Sequence, residues 1–582
     1  MTGRPTNWLA ASILEAANCV RQGQWHQADA LLAQVLAAHP DEPDGLQLLG
    51  LVRENQGRPG EAEALLRRSL TLRPKQPHVQ AHLGRVLAQA SRHQEAIALL
   101  QGAAEAQPDL FDAFLVLAQV QLTEGDLVAA EKNYRSALRL APKSQVALLG
   151  LGVLLNKMAQ PAEAELLLQA AAKDVARPAP WQSKIACALG LSLEAQGRKD
   201  EAVEAWRRAI ALDPANLEAH RELNALLYRL GREDEFLASH EEAFRSLPVS
   251  RKGERAALLL QKAGLLMDAE RFEEARDAFA QVAVLAPESA GPQNGLAAAH
   301  AHLGQFDASI AAYEKSIRLK PDDPATAIHL ACVLLQAGEN AHALRLTSDA
   351  VAQMACDQAA LAVHELALRA NDDPRAQELA DYERHIQIFD LEPPPGFSTM
   401  AEFNAALNAH LDTMHTDRRE PLDQTLRHGT QTAPSLLAGR HALLGALRRR
   451  IEEAVAAYIE RMPADEGHPL AGRRAAGFSF AGSWSSRLHD QGFHANHVHP
   501  KGWISSCYYV AVPDAALDPL AQQGWIKFGE PSFKTAMAGT LRRTIQPVPG
   551  RLVLFPSYMW HGTIAFRSAA ARTTIAFDAI PA

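Results

Sequence analysis

Cysteine is scarce in this sequence, with five residues among 582 and no C-x-x-C arrangement. Scarce, scattered thiols argue against a disulfide framework and for a reducing compartment. Long apolar runs are also missing, so no segment has the length that crosses a bilayer. Residues 1–20 lack the uninterrupted apolar stretch of a signal peptide. The sequence therefore predicts a cytoplasmic protein without a membrane partner.

An excess of charge of one sign is missing as well. The formal net charge is −9 and the sequence pI is near 6.2. Such mild acidity, spread over a long chain, argues against nucleic acid or an anionic membrane as the main partner. Hydrophobic residues make up 47% and charged residues 21%, which is typical of a soluble globular protein. The length predicts roughly three or four units.

A repeat dominates the first 357 residues. A small residue is followed twelve positions later by proline, and most successive units are 34 residues apart. The pairs are Ala28/Pro40, Ala62/Pro74, Ala96/Pro108, Ala130/Pro142, Ala202/Pro214, Ala275/Pro287 and Ser309/Pro321. Glycines precede the second half of most units, at Gly23, Gly57, Gly125, Gly197, Gly231, Gly304 and Gly338. The pattern predicts a helix, a glycine turn, a second helix and a proline that ends it.

This period and pattern resemble those of tetratricopeptide repeats. The resemblance implies about ten helix pairs in an all-α superhelix over residues 1–357, with irregular intervals near Pro178 and at residues 249–256. The last unit ends at Ala355 without its proline and is expected to serve as a cap. The concave face of such a superhelix commonly binds an extended peptide or a protein. We therefore expect a protein or peptide partner.

The character of the sequence changes near residue 390. Three consecutive prolines in "FDLEPPPGF" interrupt any helix, which predicts a helical cap and Pro-rich junction over residues 358–395. Helical patterns follow at about 400–414 and 440–462. Between them the polar stretch "LRHGTQT", residues 426–432, is predicted to be a loop that joins two helices.

From residue 476 onward the sequence becomes strand-like. Short runs such as "WISSCYYVAV" and "RLVLFPS" are rich in β-branched and aromatic residues and bounded by Gly and Pro. They predict six to eight strands over residues 476–582, packed against a helical part at residues 396–475. That arrangement indicates a barrel or jelly roll with helical buttresses.

Three histidines fall within six residues in "GFHANHVHPKGW". In an extended "HVH", His497 and His499 point to the same face. His494 has an odd spacing from His497 and would point to the other face or lie in a loop. Two convergent imidazoles are half of a metal site, and the best candidate for a third ligand is His561 in "GRLVLFPSYMWHGT".

Eleven residues after that histidine, "RTTIAF" opens another strand. Arg572 begins this strand, and Thr574 lies on the same face. The full series "SWSSRL", "GFHANHVHPKGWISSCYYV", "GRLVLFPSYMWHGT" and "RTTIAFD" resembles the Fe(II)/2-oxoglutarate-dependent oxygenases, in the bacterial branch that carries tetratricopeptide repeats. The resemblance covers about residues 390–582. It implies a multidomain protein with a repeat superhelix, then a double-stranded β-helix (jelly-roll) domain at residues 396–582 with flanking helices.

The resemblance also implies roles for particular residues. His497 and His561 correspond to iron ligands, Arg572 to the partner of the distal carboxylate of 2-oxoglutarate, and Thr574 to its hydrogen-bonding helper. The implied cofactors are Fe(II), 2-oxoglutarate and O₂, and the implied reaction is hydroxylation, here of a protein or peptide recruited by the repeats. A planar guanidinium suits a carboxylate because it can donate two parallel hydrogen bonds.

One departure from the family concerns the second ligand. The usual residue there is a carboxylate, H-x-D or H-x-E, and this sequence has His499. Three neutral imidazoles leave the charge of the ferrous ion uncompensated, so we expect weak iron retention until the dianionic cosubstrate binds. Two alternatives stay open. Either His499 is the third ligand, or a water or substrate group completes the coordination of two histidines.

Six further residues are candidate contacts to substrate or cosubstrate: Arg487, His494, Tyr508, Tyr509, Arg427 and Gln431. Each has a structural alternative. Core packing would account for the two tyrosines, a turn for the two residues in "LRHGTQT", and solvent exposure or simple hydrogen bonding for His494.

Two other functions compete with an oxygenase. A cupin-like metalloprotein would also place H-x-H and "PVPGRLVLFP" on a barrel, but "HVHPKGWISS" lacks the glutamate that a cupin supplies. A non-catalytic repeat scaffold with a degenerate barrel would give no reason to combine His497, His561 and Arg572.

Overall fold

The computed structural model describes residues 8–173, 178–422, 424–433, 435–439, 441–463, 465–535, 537 and 539–582. Residues 1–7, which belong to the segment tested above for a signal peptide, lie outside the described residues. So do residues 174–177, beside the irregular interval near Pro178. The chain forms two compact units, Met1–Ala219 and His220–Ala582. No helix in the described ranges combines the length and apolarity needed to span a bilayer.

Helices account for the first unit. They are α1 (Trp8–Arg21), α2 (Trp25–Ala38), α3 (Pro43–Asn55), α4 (Pro59–Leu72), α5 (Pro77–Gln89), α6 (His93–Ala106), α7 (Phe111–Glu124), α8 (Leu127–Leu140), α9 (Gln145–Lys157), α10 (Pro161–Ala172), α11 (Ala179–Ala195) and α12 (Lys199–Leu212). Helix α13 (Leu217–Arg229) spans the point of division between the units.

Helices also begin the second unit. They are α14 (Ala238–Ser246), α15 (Lys252–Asp268), α16 (Phe272–Leu285), α17 (Ala290–His302), α18 (Phe306–Leu319), α19 (Pro324–Ala337), α20 (Asn340–Gln353), α21 (Gln358–Ala370), α22 (Arg375–Leu379), α23 (Met400–Asp412) and α24 (Ala442–Glu460). Helix α11 follows the irregular interval near Pro178 and α15 begins within the one at residues 249–256, and each has 17 residues.

The predicted tetratricopeptide-repeat fold is confirmed by the local structure of these helices. Each of the seven repeat prolines stands two residues after the end of a helix. The seven small residues that precede them by twelve positions are all 0% exposed, so they sit where neighbouring helices touch. All seven turn glycines have φ between 69° and 83°, a left-handed conformation in which a Cβ is unfavourable.

Close packing of the helices makes Gly190 in α11 a test of the repeat geometry. A Cβ there would lie 2.5 Å from Trp206 Nε1, whose N–H donates to the Cys187 carbonyl at 3.1 Å. Because the fully buried indole cannot shift without losing that bond, we expect the overpacking in Gly190→Ala to cost about 1–3 kcal/mol. Alanine gains ~1 kcal/mol over glycine in a helix, so the net destabilisation of the repeats should reach about 2 kcal/mol.

Gly102→Ala in α6 is the matched control, since nothing lies within 4 Å of a Cβ at that position. It should leave the thermal unfolding midpoint, followed by circular dichroism, unchanged or slightly raised. Equal midpoints for the Gly190 and Gly102 variants would contradict the proposed packing.

Nine strands lie in the described part of the second unit. They are β1 (Gln387–Asp390), β2 (Leu426–Gln431), β3 (Phe478–His494), β4 (Ile504–Ala511), β5 (Ile526–Phe528), β6 (Arg543–Ile545), β7 (Arg551–Pro556), β8 (His561–Thr563) and β9 (Arg572–Pro581). Six form one sheet in the order β1-β7-β4-β9-β3-β2, and three form a second in the order β6-β5-β8. Every ladder between them is antiparallel. Closure of the two sheets into a double-stranded β-helix stays a prediction.

The predicted loop at residues 426–432 is wrong. This segment forms β2, which pairs with β3 through Arg427↔Phe493 and Thr430↔Arg487, with a bulge at His428. The segment is polar and contains glycine, so it lacks a β signal of its own. Pairing with a long neighbouring strand makes it extended, which no local pattern encodes. Strand β1 likewise comes from the predicted junction and pairs with β7.

Helix α21 is fastened to the sheets of the second unit. Trp560, just before β8, donates its indole N–H to the carbonyl of Ala362 in α21 at 3.1 Å. Arg369 of the same helix donates to the carbonyls of Gly529 and Thr540 at 2.9 and 2.7 Å. These bonds are shielded, since Trp560 is only 7% exposed. The end of the repeat region and the β structure therefore share one core.

Candidate metal centre

Three of the predicted residues, His497, His499 and His561, come together beside the second sheet. His561 begins β8, and His497 lies in the segment after β3. The two are joined by reciprocal backbone hydrogen bonds, His497 N–H to His561 O at 2.8 Å and His561 N–H to His497 O at 3.0 Å. The main chain therefore fixes two imidazoles that are 64 positions apart in the sequence.

Each imidazole of the cluster is oriented by its Nδ1 atom. Nδ1 of His497 lies 2.8 Å from the Ala495 carbonyl, and Nδ1 of His561 lies 2.9 Å from the Met559 carbonyl. Because a carbonyl oxygen can only accept, each Nδ1 carries the proton and each Nε2 keeps its lone pair. The Nε2 atoms of His497 and His499 are 3.1 Å apart. One ring nitrogen from each of the three histidines lies within 4.8 Å of the others.

The surroundings keep two of these rings, those of His497 and His561, neutral. Burial, helped by the neighbouring His499, lowers the pKa of His497 to about 3. Burial and the two other histidines lower the pKa of His561 well below its ordinary value. A neutral imidazole is the form that binds a metal ion. His497 and His561 are thus ready metal donors at neutral pH, and imidazole nitrogens suit Fe, Ni, Cu and Zn ions.

The three histidines open onto a cavity of about 350 Å³. Its apolar lining includes Trp484, Val498 and Ile526, and its polar lining includes Gln424, Lys501 and Thr563. Arg572, at the start of β9, lines the same cavity. The cavity therefore combines a histidine cluster that could hold a metal ion with one buried cation.

Arg572 is 1% exposed, yet its Nε and Nη1 atoms have no hydrogen-bond acceptor. Among the described residues no carboxylate forms an ion pair with it. The Tyr509 ring lies 5.0 Å from its Cζ, and burial raises the pKa values of the Tyr509 hydroxyl and the Cys507 thiol beside it. A buried guanidinium without a counter-charge is unfavourable, so the site is suited to an anion that brings its own acceptor oxygens.

Three further predicted residues also line the cavity. His494 Nδ1 lies 3.3 Å from Thr563 Oγ1, and burial lowers the pKa of His494 well below its ordinary value. Thr574 is two residues after Arg572 on β9, as the alternation of the strand predicts. Gln431 donates to Gln424 Oε1 at 3.0 Å, so both amides belong to the wall.

The structure does not bring Arg427, Arg487 or Tyr508 to the cavity. Arg427 forms an ion pair with Glu270 at 2.6 Å. Arg487 donates to Asn408 Oδ1 at 3.1 Å and is paired with an aspartate of α23. Tyr508 is fully buried and donates to Asn404 Oδ1 at 2.7 Å. Strand alternation accounts for Arg487, because it follows the cavity residue Ser486 by one position on β3. Tyr509 contacts Arg572 from outside the cavity lining.

Sequence reasoning missed two residues of the site. Asp578 of β9 lies 2.8 Å from His499 Nδ1, and the Trp484 ring stacks on His499 with a centroid distance of 5.8 Å and an interplanar angle of 11°. A signal for Asp578 was present, because it follows Arg572 by six positions and so shares a strand face with it. Nothing in the sequence pattern distinguishes Trp484 from an ordinary core aromatic.

Models of known protein families match both the repeat region and the strand region of the chain. Residues 482–578 match a family model described as "Putative 2OG-Fe(II) oxygenase". Models described as "Tetratricopeptide repeat" match residues 19–77, 55–120, 121–186 and 260–324, and a "TPR repeat" model matches residues 190–231. No curated protein matches the chain.

Solved structures similar to the chain are repeat proteins. Pseudomonas aeruginosa PilF is 21% identical, with 37% of this chain and 96% of PilF covered and a TM-score of 0.34. YrrB, a TPR protein with an unusual peptide-binding site, is 16% identical, with 33% and 96% covered and a TM-score of 0.29. A tetratricopeptide repeat protein from Parabacteroides merdae is 13% identical, with 50% and 98% covered and a TM-score of 0.34.

Proposed function

We propose that this chain, which carries tetratricopeptide repeats and a domain of the 2OG-Fe(II) oxygenase family, is an Fe(II)- and 2-oxoglutarate-dependent dioxygenase that hydroxylates a protein or peptide. One observation carries the proposal. A cluster of three histidines and a buried arginine without a counter-charge line the same cavity. A metal ion and a carboxylate ligand would satisfy both at once.

In this proposal His497, His499 and His561 hold the iron through their Nε2 atoms. Backbone carbonyls fix the first and third rings, so little rotational freedom is lost when a metal binds. Three protein ligands would hold the ion and leave it accessible to its cosubstrates from the cavity. When bound, iron, 2-oxoglutarate and O₂ together supply the oxidising chemistry, with succinate and CO₂ as by-products.

Arg572 and Thr574 bind 2-oxoglutarate in this proposal. The buried guanidinium of Arg572, whose Nε and Nη1 atoms lack acceptors, would donate to the distal carboxylate, and its planar shape permits two parallel hydrogen bonds. The Thr574 hydroxyl, which now makes only a 3.5 Å contact to the Ser486 carbonyl, adds a donor on the same face. Tyr509 supports the guanidinium by packing its ring against it.

The apolar part of the lining limits the access of water to the reacting groups. Trp484, Val498 and Ile526 form this part of the wall. Exclusion of bulk water strengthens the electrostatic interactions inside the cavity and suppresses side reactions. Lys501 and Gln424 also line the cavity and are polar groups that a substrate chain could contact.

A polypeptide substrate is favoured by contacts between the cavity wall and repeat helices of the second unit. The chain between α23 and β2 carries Asp417, which pairs with Arg229 of α13 at 3.2 Å. The same connection supplies Gln424 and Thr425 to the cavity. A peptide held by these repeats would therefore be held near the oxidising centre, at a raised effective concentration.

The test is an anaerobic titration of metal-free protein with Fe(II) and then 2-oxoglutarate, followed by visible absorption and, after O₂ is admitted, by succinate formation. We expect a charge-transfer band that requires both additions, and succinate in proportion to 2-oxoglutarate consumed. Metal binding without the band would favour the cupin-like alternative. If no metal binds, the result would favour the alternative of a repeat scaffold with an inactive barrel.

The proposal that the substrate is a polypeptide is tested by incubating the Fe(II)-loaded protein with peptide libraries. The products are analysed by mass spectrometry. We expect some peptides to gain the mass of one oxygen atom only when 2-oxoglutarate is present. Oxidation of free amino acids or other small molecules in place of peptides would contradict this part alone.

A further inference from the structure

Asp578 forms a hydrogen-bonded bridge between the histidine cluster and the first sheet. Its Oδ2 accepts from His499 Nδ1 at 2.8 Å, and its Oδ1 accepts from the Ser505 hydroxyl at 2.7 Å. Both partners in the His499–Asp578 contact are shielded, with side chains 13% exposed. The carboxylate is therefore held on both oxygens within the cavity wall.

Neighbouring strands fix the position of Asp578. It lies opposite Ser505 on β4 and Gly482 on β3. The Ser505 hydroxyl also bonds the Ser557 hydroxyl at 2.8 Å, and the Ser557 carbonyl accepts from the backbone N–H of His499 at 3.0 Å. The main chain and the ring of His499 are thus tied to the same network. This arrangement leaves the imidazole little freedom to turn.

His499 differs from the other two histidines in the charge of its acceptor. Its Nδ1 faces a carboxylate, whereas Nδ1 of His497 and of His561 faces a neutral carbonyl. A carboxylate can only accept, so the proton stays on Nδ1 and the lone pair stays on Nε2, directed at the cluster. A carboxylate in this position also makes the imidazole a stronger electron donor to a metal.

We propose that Asp578 is a positioning residue of the metal centre. It acts through its hydrogen bond to His499. Its carboxylate supplies the negative charge that the aspartate ligand supplies in the H-x-D arrangement, but it does so without contacting the metal. The inference rests on the proposed function only in placing a metal at the histidine cluster. Asp578 would help three imidazoles retain a divalent ion, because its charge lies next to the cluster rather than in it.

The test measures metal affinity directly, without turnover. Metal-free full-length protein is titrated with Co(II) under anaerobic conditions, and the ligand-field absorption gives both the Kd and the coordination of the ion. Asp578→Asn preserves shape but removes the charge, and we expect it to raise the Kd about 10–100-fold. Asp390→Asn is the control, because it removes one negative charge from β1 of the same sheet, where Asp390 pairs with Arg551, and should leave the Kd unchanged.

Two further variants show whether the effect passes through His499. Ser505→Ala removes the hydrogen bond to Oδ1 of the Asp578 carboxylate. It should raise the Kd for Co(II), but by less than Asp578→Asn does. In a His499→Ala background, Asp578→Asn should have no further effect. An unchanged Kd for Asp578→Asn, or an equal loss with and without His499, would overturn the inference.

The outcomes separate the inference from the proposed function. If the wild type binds Co(II) and oxidises 2-oxoglutarate with Fe(II), but Asp578→Asn has no effect, the role of Asp578 alone is wrong. If Asp578→Asn weakens Co(II) binding as expected and no 2-oxoglutarate is consumed, the oxygenase proposal alone is wrong. Failure of the wild type to bind Co(II) would overturn both.

Discussion

Replacing His561 with alanine is expected to abolish the proposed iron site and, with it, the proposed oxidation of 2-oxoglutarate. His561 is buried, and its backbone N–H and carbonyl bond those of His497. The substitution removes the imidazole but leaves this backbone bridge. Loss of an outer hydrogen-bond partner typically weakens metal binding 10–100-fold, so loss of a ligand should raise the Kd for Fe(II) by at least about 100-fold. Anaerobic equilibrium titration gives the Kd, and succinate assays give the turnover.

The control for this variant must separate a lost ligand from a damaged core. His561 packs against Phe555 with a centroid distance of 4.6 Å, so His561→Gln, which fills more of the space, accompanies His561→Ala. Both metal-free variants should unfold close to the midpoint of the metal-free wild type. His489→Ala, at an exposed position outside the cavity lining, should bind iron normally. Wild-type iron affinity in His561→Ala would exclude this histidine as a ligand.

Replacing Arg572 with lysine is expected to affect 2-oxoglutarate and not the metal. Lysine keeps the positive charge but lacks the planar pair of donors. Each lost hydrogen bond to a charged group is worth about 1.5–3 kcal/mol, so two such bonds correspond to about a 100-fold or larger rise in the Kd for 2-oxoglutarate. The Kd for Fe(II) without 2-oxoglutarate should stay unchanged. The charge-transfer band, titrated with 2-oxoglutarate, measures the effect.

Arg487→Lys is a matched control for this substitution. Arg487 lies on β3 next to Thr573 in register, but its side chain points to Asn408 of α23 and not to the cavity. The same exchange there should leave the 2-oxoglutarate titration as in the wild type. A change of less than about tenfold in Arg572→Lys, about 1.4 kcal/mol, would mean that the arginine does not bind the keto acid through a bidentate contact.

The repeats could be predicted from the sequence because their geometry is local and periodic. A turn that requires a left-handed residue selects glycine, and close helix contact selects a small side chain such as Ala202, which is 0% exposed. Each unit repeats the same requirements, so weak signals add along the chain. The same reasoning fails for β2, whose extended form depends on β3, a partner more than fifty residues away.

The residues of the candidate site could be predicted from the sequence, but the hydrogen bonds between them could not. His497 and His499 were paired by strand alternation, and Arg572 was placed by its interval from His561. The hydrogen bond from His499 to Asp578 joins residues 79 positions apart, and no spacing rule links them. Side chains such as Arg487 alternate correctly along a strand, yet which face meets the cavity depends on how the sheets pack.

The hydrogen bond from Trp560 to helix α21 determines where the chain can be cut to obtain a stable fragment. The resemblance to an oxygenase begins near residue 390, but the indole that precedes His561 is satisfied by a carbonyl at position 362. A fragment cut at the prolines would leave this donor without its partner and remove the hydrogen bonds that Arg369 donates to Gly529 and Thr540. A fragment intended to fold on its own should therefore begin upstream of the prolines and include α21.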